Sequence, residues 1–126
     1  MGSSGQEDVC SEDYRGKFAF SEPETASMKA FLEKWTNIKI ALNFHAYGNL
    51  FIFPFNFDNR ENSLLVNNFT NASRFYNSII KNAKLPPGNL AGNGAQSIQY
   101  TANGEASDYM LAAHGIFAMS PELGTK

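Results

Sequence analysis

The chain has 126 residues, a formal charge of −2 and 43% hydrophobic content. A chain of this length forms one domain or part of one. Its composition excludes a disordered segment and a phosphate-binding surface of clustered Lys and Arg, and no run of about 18 apolar residues is available to span a membrane.

Residues 1–9 read as irregular, with "MGSSG" either a native loop or a cloning remnant. They lack the basic start and apolar core of a signal peptide, so no compartment is readable. The single cysteine, Cys10, excludes an internal disulfide, and no basic neighbour would activate its thiol. "SEPETASMKAFLEKW" then opens a helix. Ser21 and Glu24 have capping-box spacing, and Pro23 suits the first turn. Met28, Phe31, Leu32 and Trp35 recur at i, i+3, i+4 and i+7, which predicts one buried face.

Ile38 to Phe44 predicts a strand. Ile38, Ile40, Leu42 and Phe44 point one way, and Lys39, Ala41 and Asn43 the other. His45 continues the second set at the strand's end. Leu50 to Phe57 predicts a second strand, apolar on both faces and so central, with Pro54 forcing a bulge or an unpaired site. "DNREN" is a solvated turn. Leu65, Phe69, Ala72, Tyr76, Ile79 and Ile80 predict a helix from Ser63 to about Ala83.

"KLPPGNLAGNGAQ" reads as a long loop whose Pro and Gly content excludes regular structure. Ile98 to Tyr100 reads as a short strand. "NGEASDYMLAAHG" is a helix stopped by Gly115, and Ile116 to Met119 a final strand. The order of elements predicts an α/β layer fold, with ligands meeting strand ends. His45 and Glu122 both follow predicted strands.

From position alone His45 is open between metal ligand, base and structural histidine. His114, in a helix's last turn, is explained by the helix dipole. Glu122, entering after an apolar strand, needs a partner or a task. Tyr47 and Tyr100 are aromatics of the kind that usually only pack. Asn68-Phe69-Thr70 and Asn71-Ala72-Ser73 match the glycosylation sequon, but they overlap a predicted helix in an Asn-rich chain.

Four stretches decide among these readings. "CSEDYRGKFAFSEPET", "FHAYGNLFIFPF", "YTANGEASDY" and "GIFAMSPELG" resemble, in order and approximate spacing, four blocks of the zinc carboxypeptidases of the carboxypeptidase A type, the M14 metallopeptidases. The resemblance covers most of residues 10–124. It implies that residues 10–126 are part of that family's mixed-sheet α/β/α catalytic domain, its C-terminal half. The activity implied is hydrolysis of the C-terminal peptide bond of peptides or proteins, with zinc as cofactor.

By this resemblance His45 is a zinc ligand, and Ala46 and Tyr47 line the substrate cleft with a cis peptide at their junction. Tyr100 is the mobile-loop tyrosine that closes over the substrate. Ser107 sits at the base of the specificity pocket, and Asp108 is the acid before an aromatic. Glu122 activates the zinc-bound water. Family members are often secreted. The departures are equally specific. The family's H-x-x-E motif and its carboxylate-gripping Asn-Arg pair are not in this sequence, and Asn59-Arg60 stands in the wrong place for the latter. A catalytic zinc takes about three protein ligands, so the chain alone is expected to be inactive. An exposed sheet edge would invite self-association. The alternatives are a non-catalytic binding or structural module on the same fold, and an unrelated α/β domain whose strand Phe51–Phe57 lines an apolar groove. The last would be favoured by His45 and Glu122 lying far apart.

Overall fold

The computed structural model describes residues 8–11, 14–60, 63–82 and 90–124. Its elements run α1 (Pro23–Lys34), β1 (Ile40–Leu42), β2 (His45–Ala46), β3 (Leu50–Ile52), α2 (Ser63–Val66), α3 (Thr70–Asn82), β4 (Leu90–Gly92), α4 (Gly94–Ser97), α5 (Ala106–His114) and β5 (Phe117–Leu123). The sheet has the order β1-β5-β3-β4, with β2 also paired to β5. Strands β1 and β2 lie parallel to β5, β3 lies antiparallel to it, and β4 lies parallel to β3. This is a mixed sheet with helices packed on it, as the α/β reading requires.

β5 is the spine. Alternate side chains of a strand leave on opposite faces. Ile116 and Ala118 pack with Leu32 of α1 and Met110 of α5. Met119 packs with Phe53, Phe55, Leu64, Ala72, Tyr76 and Leu111, and Phe117 lies against the same group. Tyr76 reaches the sheet itself: its ring stacks on Phe53 at 4.8 Å, and its hydroxyl donates to the Ala118 carbonyl at 2.8 Å. That bond satisfies a buried O–H that would otherwise be costly, and burial pushes the phenol's pKa up.

Helix α1 forms where the periodicity places it, but its start and its face differ. Glu22 is the N-cap, extended at φ −86° and ψ 138°, with no side-chain cap bond. The residue before a proline is driven out of the helical region, so Pro23 sets the boundary one residue beyond Ser21. The Ser21 hydroxyl donates instead to Glu22 Oε1 at 2.7 Å. Of the apolar stripe only Leu32 is buried, while Met28, Phe31 and Trp35 are 51%, 50% and 48% exposed. The alternation in β1 is likewise correct in period and inverted in face. Ile40 and Leu42 are exposed, and the small Ala41 turns to the Leu32 cluster. β1 is the end strand among the described residues, and no described element covers its outer side.

The strand expected over Leu50–Phe57 is central but short. Its ladder ends at Ile52, and Phe53–Asn56 continue as buried irregular chain through a cis Pro54–Phe55 peptide. The helix expected from Ser63 is two helices. Asn68 adopts φ 67°, a left-handed conformation that asparagine tolerates better than most residues and that ends α2. Leu64, not Leu65, takes the buried place.

The glycine-rich stretch corrects the sequence reading most. Residues 83–89 lie outside the described residues, but Leu90–Gly92 is strand and Gly94–Ser97 is helix. Asn93 and Gln96 form the capping box that opens α4. A Cβ on Gly94 would stand 2.7 Å from the Tyr100 carbonyl oxygen, so glycine serves close approach here rather than flexibility. Ile98 to Tyr100 is not a strand, because Ile98 caps α4 and Gln99 turns at φ 64°. Gly115 ends α5 at φ 65°, as expected. β5 runs on to Leu123, so Glu122 lies within a strand rather than after it.

Candidate active site

His45 and Glu122 are register partners across β2 and β5, and Ala46 pairs with Leu123. Glu122 is also paired with Leu50 on its other side. Side chains of register partners leave on one face of a sheet and stand next to each other. Far separation of the two residues, which would have favoured the unrelated-domain reading, is therefore contradicted. His45, Ala46 and Tyr47 are exposed and Glu122 is half-buried. The Ala46–Tyr47 peptide is cis, as the resemblance implies.

Gly48 follows in the turn back to β3. Its N–H donates to the Gly124 carbonyl at 3.0 Å. A Cβ there would lie 2.7 Å from Glu122 Oε2, so the bare backbone makes room for the carboxylate. Asn43 was not singled out in the sequence, yet its amide nitrogen lies 2.9 Å from His45 Nε2. Strand alternation had already put both on one side.

Ser107 stands apart from this pair. It is buried on α5, accepts from Asn56 Nδ2 at 3.2 Å and donates to Glu105 Oε2 at 3.5 Å. It borders an apolar groove of about 390 Å³ between α1 and β1, which Asn43 also lines. The groove thus runs from Ser107 to the partner of His45. Tyr100 is 52% exposed and faces a different cleft, of about 470 Å³, with Phe57, Asp58, Arg60 and Gln99. The structure brings His45, Ala46, Tyr47 and Glu122 together at one end of β2 and β5; Ser107 and Tyr100 belong to neighbouring concavities.

Asp108 is a structural anchor with a precise task. Its carboxylate accepts from the Asn56 backbone N–H at 2.9 and 2.8 Å, from the Phe57 N–H at 3.1 Å and from Asn56 Nδ2 at 3.2 Å. Burial raises its pKa to about 6 despite these bonds. The "DNREN" turn is less solvated than expected. Asp58 is buried and accepts from the Arg60 guanidinium at 2.5–3.0 Å and from Asn67 Nδ2 at 3.0 Å. The Arg60 bond holds the Asp58 carboxyl down to about 2. His114 ends α5 and meets the Tyr109 hydroxyl at 3.2 Å, a structural role. Cys10 is exposed.

The family model described as "Zinc carboxypeptidase" matches residues 2–126. The chain belongs to the zinc carboxypeptidase family. Rat carboxypeptidase B2 is 32% identical over 108 residues, covering 80% of this chain and 24% of that protein. A zinc carboxypeptidase of Simulium vittatum is 49% identical over 47 residues, covering 36% of this chain and 16% of that one. Human carboxypeptidase A1 is 38% identical over 55 residues, covering 44% of this chain and 13% of that one. Among solved structures, bovine thrombin-activatable fibrinolysis inhibitor in complex with tick carboxypeptidase inhibitor shares the fold with a TM-score of 0.72 at 24% identity, over 98% of this chain and 41% of that one. The chain spans less than half the length of each of these proteins.

Zinc is the metal that family membership implies. An exposed imidazole at a strand end is a donor type that zinc takes, so His45 fits one corner of a site. Among the described residues no group of three or more His, Cys, Asp or Glu could hold a metal. No helix among them is long and apolar enough to cross a membrane.

Proposed function

We propose that this chain forms part of a zinc metallocarboxypeptidase that hydrolyses the C-terminal peptide bond of peptides or proteins. His45 would provide one zinc ligand and Glu122 the general base. The observation that carries the reading is the pairing of His45 with Glu122, with Gly48 leaving space beside the carboxylate. Zinc, when bound, supplies Lewis-acid chemistry and lowers the pKa of water to about 7. Glu122 takes a proton from the attacking water as its oxygen bonds to the scissile carbonyl carbon. It then returns that proton to the amide nitrogen as the C–N bond breaks, so one carboxyl and one amine leave. Ala46 and Tyr47 would line the cleft, Tyr100 would close over the substrate, and Ser107 would face its terminal side chain from the groove it shares with Asn43.

The 126 residues contain no H-x-x-E, so we assign no catalysis to this chain by itself. A second reading is a non-catalytic module on the carboxypeptidase fold, which an intact gene product lacking H-x-x-E would favour. The deciding experiment measures zinc after dialysis and cleavage of a peptide with a free C-terminus, in this chain and in the protein that carries H-x-x-E together with it. The longer protein should hold one zinc and cleave, and His45→Ala should lose both. A longer protein that holds zinc and cleaves after His45→Ala overturns the assignment of His45.

The exposed side of β1 also sets the chain's behaviour in isolation. Ile40, Leu42 and Phe44 are 53%, 50% and 59% exposed along an end strand. Such an edge templates pairing with another chain. Sedimentation of the isolated chain should show association that rises with concentration. Leu42→Lys should reduce it, since an edge lysine opposes pairing. Association unchanged by Leu42→Lys would place the contact elsewhere.

A further inference from the structure

The cleft of about 470 Å³ beside Tyr100 has no task in the carboxypeptidase reading beyond the tyrosine itself. Its volume falls within the roughly 300–1,000 Å³ of small-ligand sites. Phe57 and Tyr100, both about half exposed, give it aromatic walls, and Asn59, Gln99 and Arg60 give it polar ones. The one acid and the one base that line it are paired, and the pair is ordered. Asp58 is the inner end, with its side chain 5% exposed, and Arg60 is the outer end, 52% exposed. The Asp58 carboxylate has no capacity left. Oδ1 accepts from the Arg60 backbone N–H at 3.0 Å and from Nε at 2.8 Å. Oδ2 accepts from Nη2 at 2.5 Å and from Asn67 Nδ2 at 3.0 Å. A carboxylate offers about four acceptor sites, so a cationic ligand would find no open acceptor on it. The guanidinium is the opposite case. Asp58 engages its Nε–H and one proton of Nη2, out of a fork of about five N–H donors. No described bond uses Nη1.

The backbone on both rims is held. Buried Asn93 donates from Nδ2 to the carbonyls of Asp58 at 3.0 Å and Arg60 at 3.1 Å, which fixes the turn that carries the guanidinium. On the other rim the Ala102 N–H donates to the Asn56 carbonyl at 2.9 Å, and the Tyr100 carbonyl packs against Gly94. Little ordering is left to do when a ligand enters, and that lowers the cost of binding. We propose that this cleft is a carboxylate subsite for a peptide ligand, with Arg60 as its anchor. Asp58 aims the guanidinium, and the Nη1 edge takes the carboxylate in charge-assisted hydrogen bonds. Phe57 and Tyr100 flank the peptide that carries it. The carboxylate is that of an acidic side chain or of the peptide's own C-terminus. That the ligand is a peptide rests on the proposed carboxypeptidase reading, through Tyr100; that the cleft takes a carboxylate does not.

Backbone-amide NMR of the labelled chain reads binding without catalysis and reports folding in the same spectrum. The probes are acetylated pentapeptides. One has a central Glu and an amidated C-terminus, one has Gln in place of Glu, and one is the Gln peptide with a free C-terminus. A carboxylate peptide should shift the amides of residues 57–60 and 99–101 and bind about tenfold tighter than the neutral peptide, as a hydrogen bond to a charged group does. Which of the two carboxylate peptides does so identifies the source. The preference should weaken as salt is raised, because the guanidinium is half exposed. Arg60→Gln should remove it. Arg60 also holds Asp58, so Gln99, exposed on the opposite rim, provides a second test that leaves the ion pair alone. Gln99→Lys should tighten binding of the carboxylate peptide, and Gln99→Glu should weaken it. Equal binding of all three peptides, shifts confined to other residues, or a carboxylate preference that survives Arg60→Gln each overturns the proposal. A preference that maps to the cleft, beside a longer protein that does not cleave, leaves the subsite standing and removes the carboxypeptidase reading.

Discussion

Asp108→Ala should destabilise the chain by about 3 kcal/mol at neutral pH, measured by denaturant unfolding. The carboxylate accepts from the N–H groups of Asn56 and Phe57, which have no other described acceptor, and from the Asn56 amide, which also donates to Ser107 Oγ. Leaving a buried donor unpaired costs about 1–3 kcal/mol. Against this stands the cost of ionising Asp108 where it is buried. Its pKa is raised to about 6, mainly by desolvation, which corresponds to about 3 kcal/mol of penalty when the group is charged. The substitution relieves that penalty while orphaning the donors, and the donors win.

The sign follows from proton uptake. Between about pH 4 and 6 the folded chain holds the Asp108 proton and the unfolded chain releases it, so stability falls as pH rises through this window. Asp58 acts in the opposite sense and elsewhere. Its pKa is depressed to about 2, so its contribution is present above the unfolded value and lost as pH falls through about 2. The loss on Asp108→Ala should therefore grow as pH is lowered from 7 to 5. Asp108→Asn should flatten the wild-type slope between pH 4 and 6. A loss below about 1 kcal/mol, or a slope that survives in Asp108→Asn, would show that these bonds do not hold the Phe53–Phe57 segment.

Glu122→Gln should reduce kcat about 10²–10⁴-fold in the protein that carries this chain together with an H-x-x-E segment, the range of a positioned general base. The amide keeps the side chain's size beside Gly48 but cannot take a proton. Zinc content, which the proposed function assigns to His45 and not to Glu122, should be unchanged, and so should the fold, because Glu122 is half-buried near a strand end. KM should move little, because binding precedes proton transfer. Loss of zinc along with activity would mean that Glu122 acts through the metal site's structure. A loss under tenfold would remove it from proton transfer.

The parts of this fold that were legible in the sequence are those governed by local chemistry. The Gly115 stop, the helix over Ala106–His114 and the 3.6-residue stripe of α1 all form. What the stripe could not reveal is which side is covered. Met28, Phe31 and Trp35 have the spacing of a buried face, but burial depends on a neighbour, and none of the described elements supplies one. The break at Asn68 was hidden because apolar periodicity runs through it, while an asparagine at positive φ leaves no mark on spacing. Strand β4 and helix α4 were missed because glycine was read as freedom. At Gly94 it is a space requirement, visible only once Tyr100 is beside it. The candidate site was legible by motif and by alternation, which put Asn43 and His45 on one side. The hydrogen bond between them required coordinates.

The position of β5 in the chain bears on how the protein is made. β5 is the strand that joins β1, β2 and β3, and it is synthesised after all of them. Translation proceeds at about 5–20 residues per second, so the roughly 65 residues from Ile52 to Phe117 take several seconds to emerge. Throughout that interval Ile40–Leu42 and His45–Ala46 lack the strand they pair with here, while β3 can meet only β4 among its described partners. The pairing of β1 and β2 with β5 is therefore late in synthesis, and slowing translation before residue 117 would lengthen the time they spend without it.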